Sequence, residues 1–257
     1  AFWAAILVTF TIAMLIEPPG LRPGVLGAVA NLSMLNVYVG FSPLDVVYWT
    51  LQVELAFYAA IAALLIFGLL HRIEWFCLLW MLFAAPILAI ELDLSDRWES
   101  ALILNYGQFF ILGICVYRLR AGKATPFTAA IALGACLMSL FGGPADAPWT
   151  YLAVTVGATL LVWAATTGRA RVLLFLPLLW LGDISYPLYL VHQRVGTDLM
   201  HLGHDIGLPG WFSVALAAAV VLLVAWGLHK TCEVPGRRFF RSVLSRMLIA
   251  RPAVERA

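Results

Sequence analysis

Charge is scarce in this sequence. Asp, Glu, Lys and Arg together make up 12% of its 257 residues, about half the share a soluble domain carries. Basic and acidic residues nearly cancel, at 16 and 14, so there is no basic excess to hold a nucleic acid. Cysteine is equally sparse. Cys77, Cys115, Cys136 and Cys232 form no C-x-x-C pair and lie in or beside apolar runs. That pattern suggests neither a zinc site nor a disulfide framework and reads as four small apolar side chains. The sequence also lacks a repeat of solenoid period, a low-complexity tract, and the basic flank, short apolar core and small-residue cleavage site of a signal peptide. The chain opens at Ala1, already inside an apolar run, and is expected to be a fragment without its N-terminal part.

What the sequence has in abundance is apolar surface. Hydrophobic residues make up 63% and the mean hydropathy is +0.94. With so little charge, this predicts an all-α, polytopic transmembrane helix bundle. Eight segments are expected: about Ala1–Ile16, Val46–Leu70, Ile73–Ile90, Leu102–Tyr117, Phe127–Phe141, Tyr151–Thr167, Leu173–Leu199 and Trp211–Leu228. Glu17-Pro18-Pro19-Gly20 stops the first. The semi-polar stretch Leu21–Asp45 reads as an interfacial or re-entrant element. The seventh is too long for a simple span and is expected to break at Gly182-Asp183. Trp75, Trp80, Trp98, Trp149, Trp180 and Trp211 fall near predicted span ends, as an interfacial aromatic belt does.

Alternate loops carry 13 of the 16 Lys and Arg residues: Arg72; Arg118, Arg120 and Lys123; Arg169 and Arg171; and Lys230 with the six arginines that follow it. The opposite loops carry Glu17, Asp45, Glu91, Asp93, Asp96, Glu99, Asp146 and Asp205, with only Arg22 and Arg97 as bases. The positive-inside rule then places the basic loops and the C-terminus in the cytoplasm. Residues 1–245 are expected to form the membrane domain and 246–257 a basic cytoplasmic tail.

Three stretches can carry chemistry. The first is Trp49-Thr50-Leu51-Gln52-Val53-Glu54-Leu55-Ala56-Phe57-Tyr58. Leu51, Glu54 and Tyr58 share a helix face. A carboxylate inside an apolar span costs roughly 2.5–3.5 kcal/mol on insertion scales, so it should face a bundle interior or a wet cavity. It is either a structural carboxylate bonded to a neighbouring helix or part of a functional site. The second is Leu181-Gly182-Asp183-Ile184-Ser185-Tyr186-Pro187-Leu188-Tyr189-Leu190-Val191-His192. Pro187 suits a first helical turn, which predicts a helix from about Ser185 with Ser185 or Asp183 as its cap. Ser185, Tyr189 and His192 then form a polar stripe. Ser185 reads as a cap or a cavity residue, and His192 as an interhelical hydrogen-bonder or a relay or substrate contact. The third is Lys230-Thr231-Cys232-Glu233-Val234-Pro235-Gly236-Arg237-Arg238-Phe239-Phe240-Arg241. Pro235 is expected to stop the last span. Glu233 has bases nearby to pair with, and Arg237 and Arg238 are either a positive-inside anchor or phosphate ligands. His201 and His204, beside Asp205, have ligand spacing but no evident third ligand, so no metal is expected. Glu74 suits the helix N-terminus it opens.

These stretches resemble, in order, three signatures of the membrane acyltransferase-3 family, bacterial O-acyltransferases of cell-surface carbohydrates. Trp49, Leu51, Val53, Glu54, Phe57 and Tyr58 match a Trp-Ser-Leu-Ser-Val-Glu-x-x-Phe-Tyr pattern, with Thr50 and Gln52 in place of the two serines. Ser185, Tyr186, Tyr189 and His192 match Leu-Gly-x-x-Ser-Tyr-x-x-Tyr-Leu-x-His. Glu233, Pro235, Arg237 and Arg238 match the closing Glu-x-Pro-x-Arg-Arg. The resemblance covers about Ala1 to Phe240. It implies about ten spans, two of them ahead of Ala1, with the histidine regarded as the catalytic base and the arginines thought to contact the acyl donor lying in that absent part. It implies a multi-pass protein of the bacterial inner membrane, with no bound cofactor. Acyl-CoA, commonly acetyl-CoA, is the implied cosubstrate and a carbohydrate or glycolipid hydroxyl the acceptor. In this chain Glu54 and His192 are the candidate catalytic groups. Trp49, Tyr58, Ser185, Tyr186, Tyr189, Glu233, Arg237 and Arg238 are the candidate substrate contacts. Two other readings are an inactive fragment of the same enzyme and a proton-coupled secondary transporter relaying through Glu54 and His192. The latter fold commonly shows repeats and paired broken helices. Here only Gly182-Asp183 reads as a break.

Overall fold

The computed structural model describes residues 1–17, 20–90, 96–141 and 146–249. In chain order its helices are α1 (Phe2–Ile16), α2 (Val25–Asn31), α3 (Trp49–Ile66), α4 (Ile73–Ala89), α5 (Asp96–Leu102), α6 (Gly107–Arg120), α7 (Pro126–Met138), α8 (Pro148–Thr166), α9 (Leu176–Asp205), α10 (Gly210–Leu228) and α11 (Val234–Ile249). No strand occurs among the described residues. The all-α expectation holds, because a helix satisfies its backbone within one segment, which lipid requires. Gly68, Gly122, Gly168 and Gly207 follow α3, α6, α8 and α9 with positive φ. Each closes the paired terminal hydrogen bonds that a left-handed residue permits, as in Leu69 N to Leu64 O (2.7 Å) and Gly68 N to Leu65 O (3.1 Å).

Among the described residues, four stretches are long and apolar enough to cross a membrane: Val46–Ile66, Leu70–Ala89, Pro148–Thr166 and Gly210–Ser245. Phe2–Ile16 and Pro126–Met138 are apolar but shorter. At 1.5 Å per residue they reach ~20 Å, short of the ~30 Å hydrocarbon layer. The expected fourth segment is α6, entered through a turn in which Ile103 holds φ at 58°, a strained setting for a β-branched residue. The expected turns at 18–19 and the acids at 91–95 lie outside the described residues.

Two compact units divide the chain: Ala1–Tyr48 with the chain from Pro177 onward, and Trp49–Leu176. In the first, α1 buries Phe2, Ala5, Ile6, Thr9 and Ala13, one helix face at three- and four-residue spacing. α10 buries Ser213, Ala217, Val221, Ala225 and Leu228, a mostly small-residue stripe. Gly203 of α9 comes so close to it that a Cβ there would lie 2.6 Å from Ser213 Oγ, the close packing that small residues allow. Residues 21–45 fold around two buried asparagines. Asn31 donates to the carbonyls of Gly27 (2.8 Å) and Ser42 (3.1 Å) and accepts from Leu44 N (2.9 Å), and Asn36 donates to Phe41 O (3.1 Å).

In the second unit, α4 contributes Ile73, Cys77, Met81 and Ala84, α6 Ile111, Leu112 and Cys115, and α7 Ile131, Ala135 and Met138 to one core. At its edge Glu74 pairs with Arg118 at 2.9 Å and accepts from Thr128. Glu74 therefore has a specific cation as well as a helix terminus. Trp80 departs from the expected belt. It donates to Leu102 O at 2.9 Å, and a Cβ on Gly107 would lie 2.1 Å from its ring. Trp75, Trp98, Trp149, Trp180 and Trp211 are exposed.

Two helix boundaries differ from expectation. α9 runs unbroken from Leu176 to Asp205, with Pro187 inside it, so Ser185 and Asp183 are not caps and no helix starts there. Asp183 is exposed, so no burial cost forces a break. Pro187 removes only the bond to Asp183 O. Ser185 Oγ donates back to Gly182 O (2.8 Å). The break the transporter reading needed is therefore absent. Pro235 likewise does not stop the last helix. His229–Glu233 form a π turn and α11 continues to Ile249. The π turn shifts the hydrogen-bond register, and Pro235, lacking an N–H, sits where the ladder restarts, as in a first turn.

Candidate functional site

Within the first unit, the polar stripe of α9 is docked on the 3-10 turn Val46–Tyr48 and the aspartate before it. Tyr189 is half-buried and its hydroxyl donates to Val47 O at 3.0 Å. The Tyr48 hydroxyl donates to Leu190 O at 3.2 Å. Asp45, 1% exposed, accepts from Val47 N at 3.1 Å through one oxygen and from Arg194 N at 3.0 Å through the other. Burial pushes the Asp45 carboxyl above its ordinary range, opposed by those two N–H groups.

His192 is exposed, and its Nδ1 lies 2.9 Å from Tyr189 O. A carbonyl only accepts, so Nδ1 carries the proton and Nε2 presents a lone pair. The ring packs 5.7 Å from that of Tyr189. It borders an apolar groove of about 360 Å³ shared with Leu188, Gly196, Met200, Ala217 and Val221. Ser185 is exposed one turn before Tyr189.

Next to this stripe lies a charge cluster that the sequence reading left in loops or out of account. Arg194 bonds Glu17 and lies 3.5 Å from Asp198 through Nε. With Asp45 on its backbone N–H, three carboxylates surround one guanidinium-bearing residue. An arginine and an aspartate four apart inside a long helix were the available signal, since ionisable groups at such depth mark partners or function.

The third motif assembles a cavity of about 470 Å³, lined by Ala1, Tyr186, Cys232, Glu233, Gly236, Arg237, Phe240 and Arg241. Glu233 accepts from or pairs with His229 Nδ1 at 3.0 Å and lies 3.9 Å from Arg237. Tyr186, Glu233 and Arg237 thus meet in one place. Arg238 is exposed and does not line that cavity.

In the second unit, Leu51, Gln52 and Val53 are buried at the head of α3. Glu54 and Tyr58 are exposed, so within this unit the carboxylate is not enclosed in a bundle interior. Trp49 packs on Tyr106 at 4.9 Å, and Phe57 stacks on Phe110 at 4.3 Å. These contacts hold the motif's aromatics and leave Glu54 accessible. His204 and Asp205 are exposed at 3.7 Å from each other. No group of three metal-ligating side chains occurs among the described residues.

Neither a curated protein nor a solved structure matches the chain. The sequence profile of the acyltransferase-3 family, described as an acyltransferase domain, matches residues 1–230. That match includes both α3 and the α9 stripe and ends before Glu233 and Arg237 of the third motif's cavity. Together with helices fit to cross a bilayer, it makes this chain a member of the acyltransferase-3 family, a membrane acyltransferase.

Proposed function

We propose that the protein moves an acyl group, acetyl in the simplest case, from acyl-CoA on the cytoplasmic side of a bacterial inner membrane to a hydroxyl of a cell-surface carbohydrate or glycolipid precursor. The C-terminus is cytoplasmic in this reading, as the basic loops suggest. The observation that carries the donor assignment is the meeting of Tyr186, Glu233 and Arg237 with Arg241 in one 470 Å³ cavity. Arginine is suited to phosphate oxygens, and CoA is a polyphosphate. Glu233, held by His229 and near Arg237, orients that guanidinium. Arg238 contributes basic charge at the surface.

The reaction joins the acceptor oxygen to the acyl carbon as the thioester C–S bond breaks; the hydroxyl proton ends on the CoA thiol. His192 Nε2 is available to receive the acceptor hydroxyl's hydrogen bond, with Tyr189 and Ser185 beside it. Glu54 is the carboxylate candidate of the second unit, with Trp49 and Tyr58 flanking it along α3.

Purified protein in nanodiscs is expected to transfer radiolabelled acetyl from acetyl-CoA to a lipid-linked glycan. Arg237→Ala with Arg241→Ala should weaken CoA binding by roughly 10-fold or more, since a charge-assisted hydrogen bond contributes about 1.5–3 kcal/mol. Glu54→Gln should abolish transfer while leaving the amount of inserted protein unchanged. Unaltered CoA affinity in the double arginine variant would remove the donor assignment. Parental transfer by Glu54→Gln would make that carboxylate structural.

A further inference from the structure

The peptide groups around His192 have partners that a lone helix would not give them. In an α-helix the N–H of Arg194 pairs with the carbonyl of Leu190, and that bond encloses residues 191–193, with His192 at the centre. Here both groups take a partner from the turn at 45–48. Arg194 N donates to Asp45, and Leu190 O accepts from the Tyr48 hydroxyl. One turn earlier, Pro187 has already removed the N–H that would bond Asp183 O. The Tyr189 carbonyl, which fixes the His192 tautomer, belongs to a residue whose own hydroxyl is tied to Val47 O.

From this geometry we infer that Asp45 and Tyr48 are positioning residues for His192: the turn that bears them sets the backbone of α9 at 190–194 and so aims the imidazole. Neither needs to touch substrate. Asp45 suits the task because its two oxygens serve two N–H groups at once, one in the turn and one in the helix. It is buried, so water does not compete for either bond. Arg194 makes the junction stiffer. Its guanidinium is drawn to Glu17 and Asp198, which holds the same residue by its side chain while Asp45 holds it by its backbone.

The inference rests on the acyltransferase reading only for its kinetic readout, and the test separates the two. The protein is labelled with ¹⁵N-histidine, and the ring signals of His192 are assigned by their loss in His192→Gln. The parent should show a proton on Nδ1 and a bare Nε2. Asp45→Ala removes both bonds and should mix the two tautomers. In transfer assays it should lower kcat roughly 10- to 100-fold, the scale of a misplaced contact group, with KM for acetyl-CoA within about twofold. Asp45→Asn keeps one acceptor oxygen and should recover part of the loss. Tyr48→Phe deletes a single oxygen, keeps the ring, and gives the same readout where Asp45→Ala does not fold. Unchanged His192 ring signals in a folded Asp45→Ala or Tyr48→Phe protein overturn the inference. If the parent transfers no acyl group, the functional reading fails, and the ring signals still decide the positioning role.

Discussion

Replacing Arg194 with methionine keeps an apolar stem and removes the cation from the cluster around it. The side chains of Arg194, Glu17 and Asp198 are 30%, 13% and 8% exposed, so the two acids are left largely out of water. At an effective dielectric of 20, unit charges 3.5 Å apart attract by roughly 5 kcal/mol. Breaking a buried pair from one side costs about 3–5 kcal/mol. Water reaches nearly a third of the arginine, which argues for the lower end, about 3 kcal/mol. For a chain of this size that is a melting-temperature loss of about 10 °C. Asp198→Asn should behave differently. It removes one of the two carboxylates on the guanidinium, and with Asp45 close by on the backbone N–H, relief of like-charge repulsion offsets lost attraction, so the loss should stay near or below about 1 kcal/mol. The assay is thermal melting of detergent-solubilised protein followed by size-exclusion fluorescence, at one scan rate because membrane proteins unfold irreversibly. Arg194→Met melting within about 2 °C of the parent, or Asp198→Asn losing as much as Arg194→Met, refutes the reasoning.

Gly203→Ala places a Cβ 2.6 Å from Ser213 Oγ and 2.9 Å from its Cβ and should cost about 1–3 kcal/mol by overpacking. Adding Ser213→Gly removes both atoms and leaves Cα at 3.5 Å, so the double variant should melt above the single one; a double variant no better than Gly203→Ala would show that α9 and α10 do not meet there. Reporter fusions after Arg72, Arg120 and Arg171 should report cytoplasm and those after Asp96, Asp146 and Asp205 the opposite side, and two or more on the wrong side overturn the orientation.

Much of the fold was legible because lipid imposes a simple rule. Apolar runs of span length must be helical, and the helices α1, α3, α4, α7, α8 and α10 begin and end within a few residues of the runs that announced them. The motif at α3 and the stripe on α9 were legible because helical spacing alone places Glu54 with Tyr58, and Ser185 with Tyr189 and His192, on shared faces. Local rules misled at Gly182-Asp183 and at Pro235. Each weakens a helix by an amount its surroundings can absorb: Ser185 supplies a bond at the first, and the π turn shifts register at the second.

The amino-acid order by itself determined the solvent this chain belongs in, its helical class and the family its motifs match, since these depend on composition and on spacing within one helix. Only the tertiary structure decided which charges meet. Glu17 and Asp45 stand in the sequence as loop acids, yet they bond Arg194 from 177 and 149 residues away. Nothing in a run of letters states how far a helix is rotated when it packs. That rotation, set by small residues such as Gly203 and Ser213, determines whether a carboxylate faces water or an arginine.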